Sequence, residues 1–306
     1  MRAVLVVNPQ ATSTTPGGRD VLAHALASEV KLEVVETTHR GHAAHIAEMA
    51  ARDGVELVVA HGGDGTVNEV VNGILPPDPA KVSTATPMLG VVPGGSANVF
   101  ARAIGYPRDP VEATHILLDA LSRERVRRIG LGMAGGQWFT FSAGMGWDAD
   151  VVAGVDRSRG KQASPALYTR IAATSYLFPP SGRPKLVVGL PGEDPVEVRT
   201  AFVSNTDPWT YLGPRPMRLN PGCSFEGGIA LFAPRSLDPF TVLGLLRQAL
   251  SSSGYRGGRH VVHHDDLKTL HVRCDKPVNL QVDGDLAGER TSVEFRSVPD
   301  ALTVVV

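Results

Sequence analysis

The chain has 306 residues, 42% of them apolar, with 30 Lys+Arg set against 31 Asp+Glu. That near-neutral balance lacks the basic excess of a dedicated nucleic-acid binder, so no nucleic-acid partner is expected. Two cysteines, Cys223 and Cys274, cannot build a disulfide framework, and no apolar run reaches the ~18 residues of a membrane span.

From the N-terminus the pattern alternates. Arg2–Val7 is a β-branched run read as a strand that stops at Asn8-Pro9 without the features of a secretory leader, which predicts a cytoplasmic protein. A helix over 18–26, a strand over Lys31–Glu36, a helix over His42–Arg52 and a buried strand over 56–60 follow. Next come a helix over 67–75, a strand over 88–92, and helices over 97–104 and Pro110–Ser122. Strands alternating with helices imply βαβ units and a parallel, doubly wound sheet. Beyond Ser122 the grammar changes to short strand-like runs broken by Gly and Pro, at 125–134, 137–143, 185–190, 196–204, 228–233, 269–274, 279–282 and 291–295. Helices are expected over 163–177 and 239–250. The fold class read from this is an α/β N-terminal domain over 1–125 and a mostly antiparallel β-sandwich over 126–295.

Three glycine motifs fail on context. Gly130-Leu131-Gly132-Met133-Ala134-Gly135 has the letters of a dinucleotide fingerprint, yet its glycines end one strand and turn into another, where the fingerprint needs a helix. Gly160-Lys161-Gln162 lacks the first glycine of a phosphate loop, because Val155 stands there, and Gln162 has no hydroxyl for magnesium. Gly94-Gly95-Ser96-Ala97-Asn98 misses the last glycine of a nucleophile elbow. His39, His42 and His45, and His260, His263 and His264, are read as helix-surface and loop residues rather than a zinc site.

One arrangement remains, and it recurs. His61-Gly62-Gly63-Asp64-Gly65-Thr66-Val67-Asn68-Glu69 follows a strand and opens a helix. Three glycines around one carboxylate let backbone N–H groups and a helix N-terminus approach a bulky anion. Asp64 would repel phosphates unless a cation or water lies between, which points to metal-assisted phosphate chemistry; the alternative is a glycine turn capped by Asp64. Pro93-Gly94-Gly95-Ser96 repeats the strand–glycine–helix junction. Asn8-Pro9 and Thr37-Thr38-His39-Arg40-Gly41-His42-Ala43 would lie on the same carboxyl edge, where open α/β sheets bind ligands.

Taken in order over about residues 1–122, Gly62-Gly63-Asp64-Gly65-Thr66 with Asn68-Glu69, Pro93-Gly94-Gly95-Ser96-Ala97-Asn98, and Thr38 with Gly41-His42-Ala43 resemble the catalytic domain of the diacylglycerol kinase and sphingosine kinase family. The likeness is strongest to its soluble bacterial lipid kinases. It continues more loosely through 141–146 and Gln281-Val282-Asp283-Gly284-Asp285. The resemblance implies ATP- and magnesium-dependent phosphorylation of a lipid hydroxyl, with diacylglycerol the first acceptor to consider. It implies nucleotide contacts from Asn8, Pro9, Thr38, Gly62, Gly63, Asp64, Gly65, Thr66, Asn68, Gly94, Gly95 and Ser96. It places Asp64 and Asp283 toward magnesium, with Asp285 as proton acceptor, and brings the strand at 296–306 back to the first domain.

The chain also departs from the family. Its Asp-Gly-Glu triplet is Asp283-Gly284-Asp285 here, and the shorter side chain needs a closer substrate or an intervening water. Relatives often carry a glycine in the first loop, which here reads Asn8-Pro9-Gln10-Ala11-Thr12. The stretch 218–227 lacks an evident lysine–aspartate pair, so no accessory metal is expected. A polar hairpin turn is the alternative reading of 283–285.

The helix over 163–177 sets Leu167, Tyr168, Ile171, Ala172 and Tyr176 on one face, behind Arg157, Arg159 and Lys161. It reads as core, as the lining of an acyl-chain pocket, or as a transient membrane-surface contact at the inner membrane face. A homodimer is left open. Two other functions stay open as well: a soluble-substrate kinase of the nicotinamide dinucleotide kinase type, and a nucleotide-binding sensor without turnover.

Overall fold

Residues 1–83, 85–158, 165–180, 182 and 184–306 are described by a computed structural model of the chain. They divide into two units, Met1–Leu131 with Pro299–Val306, and Gly132–Val298.

The first unit runs β1 (Arg2–Val7), α1 (Pro16–Ala27), β2 (Lys31–Glu36), α2 (His42–Arg52), β3 (Leu57–Gly62), α3 (Asp64–Ile74), β4 (Met88–Pro93), α4 (Val99–Ala103) and α5 (Pro110–Ser122). Its strands are parallel in the order β2-β1-β3-β4, and Val304 adds a parallel neighbour beside Leu89 of β4. The side chains of β1, β3 and β4 are nearly all buried, as expected for a parallel sheet with both faces covered. Helix starts follow local chemistry. Thr15 accepts from Gly18 N with Pro16 behind it, and Asp109 accepts from Val111 N and Glu112 N with Pro110 behind it. The C-terminal strand is held by Tyr106 Oη donating to Val305 O at 3.0 Å and Val306 N to Arg125 O at 3.2 Å.

Three helix starts differ from the sequence expectation, the first being α1, which begins at Pro16 rather than Gly18 because Thr15 caps it. α3 begins at Asp64 rather than Val67, because Gly63 is extended (φ −86°, ψ −176°) and serves as N-cap. That puts Asp64, Gly65 and Thr66 in the first helical turn. α4 begins at Val99 rather than Ala97, because Asn98 takes a left-handed conformation (φ +49°).

β5 (Val126–Ala134) leads into the second unit, which continues with β6 (Gln137–Phe139), β7 (Ser142–Gly146), α6 (Trp147–Arg157), α7 (Pro165–Leu177), β8 (Leu186–Gly189), β9 (Val196–Val198) and β10 (Thr200–Ser204). Then come β11 (Thr210–Leu212), β12 (Arg215–Met217), β13 (Ile229–Pro234), α8 (Pro239–Ala249), β14 (Val261–Leu267), β15 (Thr269–Val282) and β16 (Asp285–Val305). The strand order β14-β13-β10-β7-β15-β16 is antiparallel throughout. β15 changes partners along its length, pairing with β8 through Cys274 and with β7 from Leu280. Phe139, Met145, Leu186, Leu231, Leu270, Leu280 and Phe295 form its main core.

One expectation holds here and two change. The fingerprint-like glycines do form a hairpin: Gly135 and Gly136 have φ of +56° and +89°, and Ala134 pairs with Gln137. The run 137–143 is two strands, because the backbone N–H groups of Thr140 and Phe141 are drawn to Asp283. α6 has no counterpart in the sequence reading; its aspartates and Gly154 hid a buried helix. Gly154 is needed there, since a Cβ would lie 2.5 Å from Ile171 Cγ2 of α7. Ile171 is therefore core. Arg159, Lys161, the phosphate-loop-like triplet at 160–162 and the Tyr168 side chain lie outside the described residues.

Candidate functional site

Two glycine junctions interlock at the carboxyl end of the parallel strands. Gly62 of β3 pairs with Pro93 of β4, and Gly94 N donates to Gly62 O at 2.7 Å. A Cβ on Gly95 would sit 2.6 Å from Gly63 Cα, and one on Gly94 would sit 3.1 Å from Gly62 Cα. The loops thus touch backbone to backbone, which only residues without a side chain allow. Asn98 closes the second loop, accepting from Gly95 N at 2.9 Å and donating to Gly95 O at 2.8 Å.

The first loop joins the same cluster. Asn8 Nδ2 donates to Thr66 Oγ1 at 3.1 Å, while Asn8 Oδ1 accepts from Gln10 N at 3.0 Å and orders the turn through Pro9. Ser13 N donates to Gly94 O at 2.8 Å. Thr14 Oγ1 is buried without a hydrogen-bond partner, beside the place a Cβ on Gly94 would occupy. An orphaned hydroxyl among glycines at a helix N-terminus suits a polyphosphate. The sequence reading missed Thr14, although the hydroxyl-rich run Thr12-Ser13-Thr14-Thr15 was its signal. Asn8, Gly62, Gly63, Gly65, Thr66, Gly94 and Gly95 therefore share one neighbourhood.

Asp64, first residue of α3, accepts from Phe100 N of α4 at 3.1 Å. Its carboxylate thus joins the starts of two helices, where exposed N–H dipoles favour an anion. His61 lies beneath the glycines, buried, with Nδ1 3.1 Å from Val92 O. Burial lowers its pKa, so it offers no cation to phosphates. Ser96 O accepts from Arg108 at 3.4 Å. Asn68 O accepts from Asn72 Nδ2 at 2.9 Å, one turn along α3.

Thr38 sits on the neighbouring junction. Its N–H donates to His42 Nδ1 at 3.1 Å, and its hydroxyl lies 2.9 Å from His39 Nδ1. Glu69 of α3 organises this loop: Oε1 accepts from Gly41 N at 2.8 Å and Oε2 from Ala43 N at 3.1 Å. A carboxylate so replaces the missing side-chain cap of α2, whose N-cap Gly41 has φ +83°. Sequence reasoning quoted Glu69 within the motif but gave it no role. Glu69→Ala is expected to cost about 1–2 kcal/mol by thermal unfolding. Glu69→Gln should recover part of this, because its amide keeps one acceptor; equal stability of all three proteins would refute the cap.

In the second unit Asp283-Gly284 form a two-residue hairpin turn between β15 and β16, with φ of +47° and +79° and Val282 paired to Asp285. Asp-Gly is the sequence preference of such turns. Asp283 is nonetheless buried. Its Oδ2 accepts from Thr140 N at 2.6 Å and Thr140 Oγ1 at 2.8 Å, and its Oδ1 from Phe141 N and Ser142 N, both at 3.0 Å. Burial pushes its carboxyl above the usual range, against the pull of these donors. Four donors fill the acceptor positions of a carboxylate. The geometry speaks for holding the turn in place rather than for the magnesium contact expected of Asp283.

Gln281 supports the same turn, accepting from Gly284 N at 2.9 Å and donating to Asp148 Oδ2 at 2.7 Å. Burial pushes the Asp148 carboxyl up to about 7, with Gln281 lowering it. Asp285 is half-buried at the start of β16. Among the described residues no group of three or more His, Cys, Asp or Glu could hold a metal ion.

Residues 2–134 match the family model described as the diacylglycerol kinase catalytic domain. A diacylglycerol kinase of Bacillus subtilis (strain 168) is 42% identical over 111 residues, 36% of this chain and 33% of that protein. The chain thus spans about a third of that relative's length. A crystal structure of a diacylglycerol kinase from Bacillus anthracis str. Sterne superposes with a TM-score of 0.73 at 20% identity, covering 99% of this chain and 96% of that one. An NAD kinase from Archaeoglobus fulgidus, solved with ATP, shares the fold at a TM-score of 0.55 and 11% identity, over 100% of this chain and 94% of its own. Residues 2–134 of this chain are thus similar to the diacylglycerol kinase catalytic domain.

Proposed function

We propose that the chain is a lipid kinase that transfers the γ-phosphoryl group of ATP to a lipid hydroxyl, with diacylglycerol as the first acceptor to test. The observation that carries this reading is the glycine interlock of 62–63 with 94–95, joined by Asn8, Thr66 and the unpartnered Thr14 hydroxyl. Within the proposal the first unit binds the nucleotide and the second recognises the lipid. The sandwich arrangement of the second unit belongs to the same reading, supported by the shift in β15 that lets one strand serve both β8 and β7. Among the described residues no helix is long and apolar enough to cross a membrane. Action at the cytoplasmic face of a membrane is part of the proposal.

A lipid hydroxyl is a poor nucleophile at neutral pH, so the protein must hold the phosphates and take up a proton. The first glycine loop and the first turn of α3 supply N–H groups to the polyphosphate, while the second loop, with Gly94 N and Gly95 N engaged by Gly62 O and Asn98 Oδ1, holds the first in place. Asp285 accepts the hydroxyl proton as the new O–P bond forms and the bond to the ADP oxygen breaks. Magnesium, when bound, neutralises charge on the phosphates, with Asp64 the side chain nearest that task. Asp283 and Gln281 hold the turn that presents Asp285.

The test is ATP turnover with magnesium on diacylglycerol in mixed micelles, with sphingosine and nicotinamide dinucleotide alongside. Asp285→Asn should lower kcat about 10²–10⁴-fold with an unchanged unfolding midpoint; a wild-type rate would remove Asp285 from the chemistry. Asp64→Ala serves as the inactive control. The shared fold of the NAD kinase favours the dinucleotide as the second acceptor, and turnover on it alone would reverse the choice.

A further inference from the structure

The exposed edge of the second unit carries an apolar ridge that its own core does not cover. On α8, Ala249 is buried and Leu245 packs against the core cluster that includes Phe202 and Phe232, while Phe240 is 88% exposed, Leu243 67% and Leu246 39%. Phe240, Leu243 and Leu246 follow one another around the outward face of the helix. A second apolar pair stands close by: Tyr176 Oη donates to Leu237 O at 2.7 Å, tying the last turn of α7 to the residue before the α8 cap. At that end of α7, Leu177 and Phe178 are 62% and 76% exposed.

The surroundings of the ridge are basic. Residues 235–260 contain Arg235, Arg247, Arg256 and Arg259 against one acid, Asp238, in a chain whose net charge is −1. All four arginines are exposed. Among the described residues none of the four makes an ion pair. Asp238 is committed to the cap of α8, with Thr241 N and Ser236 Oγ donating to its carboxylate. The backbone gathers these arginines around α8. Arg235 N donates to His260 O at 2.7 Å, and Arg256 N to Gln248 Oε1 at 3.3 Å.

A contiguous exposed apolar surface marks an interaction site, and the chemistry of its rim selects the partner. Unpaired arginines beside exposed Phe and Leu match an interface with negative headgroups over acyl chains. We propose that α8, with the last turn of α7, is the surface by which this protein docks on an anionic lipid bilayer. The proposal rests on the lipid-kinase reading for its purpose, and it moves the membrane contact from the basic segment before α7 to the ridge and arginines of α8. Phe240, Leu243 and Leu246 enter the headgroup region, and the arginines add an attraction that salt weakens.

Sedimentation with vesicles of phosphatidylcholine, with and without phosphatidylglycerol, tests this without any turnover. The full-length protein should sediment with the anionic vesicles and far less with the neutral ones. The paired change Phe240→Ser and Leu243→Ser should weaken binding more than about tenfold, and Arg247→Gln, Arg256→Gln and Arg259→Gln should each weaken it about fivefold at low salt. These exposed changes should leave phosphorylation of a short-chain, micellar acceptor at the wild-type rate. Failure of the wild type to bind anionic vesicles, or equal binding by the variants, overturns the docking surface. So does light scattering that finds a dimer which the Phe240 and Leu243 changes dissociate. Loss of activity on every lipid, with vesicle binding intact, would instead overturn the kinase reading.

Discussion

Asp283→Ala is expected to destabilise the second unit by about 4 kcal/mol or more, and to do so whether or not substrate is present. The substitution leaves Thr140 N, Thr140 Oγ1, Phe141 N and Ser142 N without their acceptor in a buried site. An unsatisfied buried donor costs about 1–3 kcal/mol, and water entering the gap recovers part of the total. Alanine at φ +47° adds strain that Asp or Asn tolerates better. The loss is a large share of the 5–15 kcal/mol typical of a domain, so the variant should be poorly soluble or unfold at much lower urea. Asp283→Asn keeps one acceptor oxygen and the turn conformation, and should lose roughly half as much. Hydrogen exchange at 140–142 provides the local readout, since those amides should lose protection first. A fully stable, inactive Asp283→Ala protein would instead return Asp283 to the chemistry.

Gly95→Ala is the second large effect, and it falls on nucleotide binding. The added Cβ would lie 2.6 Å from Gly63 Cα and 3.0 Å from Asn98 Oδ1. Backbone cannot rotate away as a side chain can, so the two loops must part by about 1 Å to reach normal contact. Overpacking of this kind costs about 1–3 kcal/mol in stability. The larger consequence is misplacement of the N–H groups that receive the phosphates, for which about a hundredfold loss in turnover is a reasonable scale. Titration calorimetry with ATP should show the weakened binding directly. Gly17→Ala is the matched control, because a Cβ there meets nothing within 4 Å. If both variants bind ATP like the wild type, the interlock is not the nucleotide site.

The two predictions bear on different units. Asp283→Ala tests the turn that carries Asp285, and Gly95→Ala tests the loops that would receive phosphates. Intact ATP binding with a collapsed second unit would support the division of labour proposed for the two.

Much of the first unit was legible in the sequence because its signals act over a few residues. Asp109-Pro110 starts a helix by capping geometry alone, and a β-branched run ending in glycine reads as a buried strand leading to a turn. The phosphate-loop candidates were visible for the same reason, since glycines beside a helix start have a local purpose. Local pattern could not show that Gly63 meets Gly95, or that Glu69 caps α2 across the fold; those contacts join segments far apart in the chain. It also hid α6, whose Asp148 and Asp150 look like surface residues until Gln281 and Asn279 reach them in the interior. Asp283 shows the division most clearly. Its turn follows from Asp-Gly by itself, while its burial depends on donors 141–143 positions away in sequence. A backbone preference is written in neighbouring residues, whereas desolvation and hydrogen-bond satisfaction are decided only when the chain has packed.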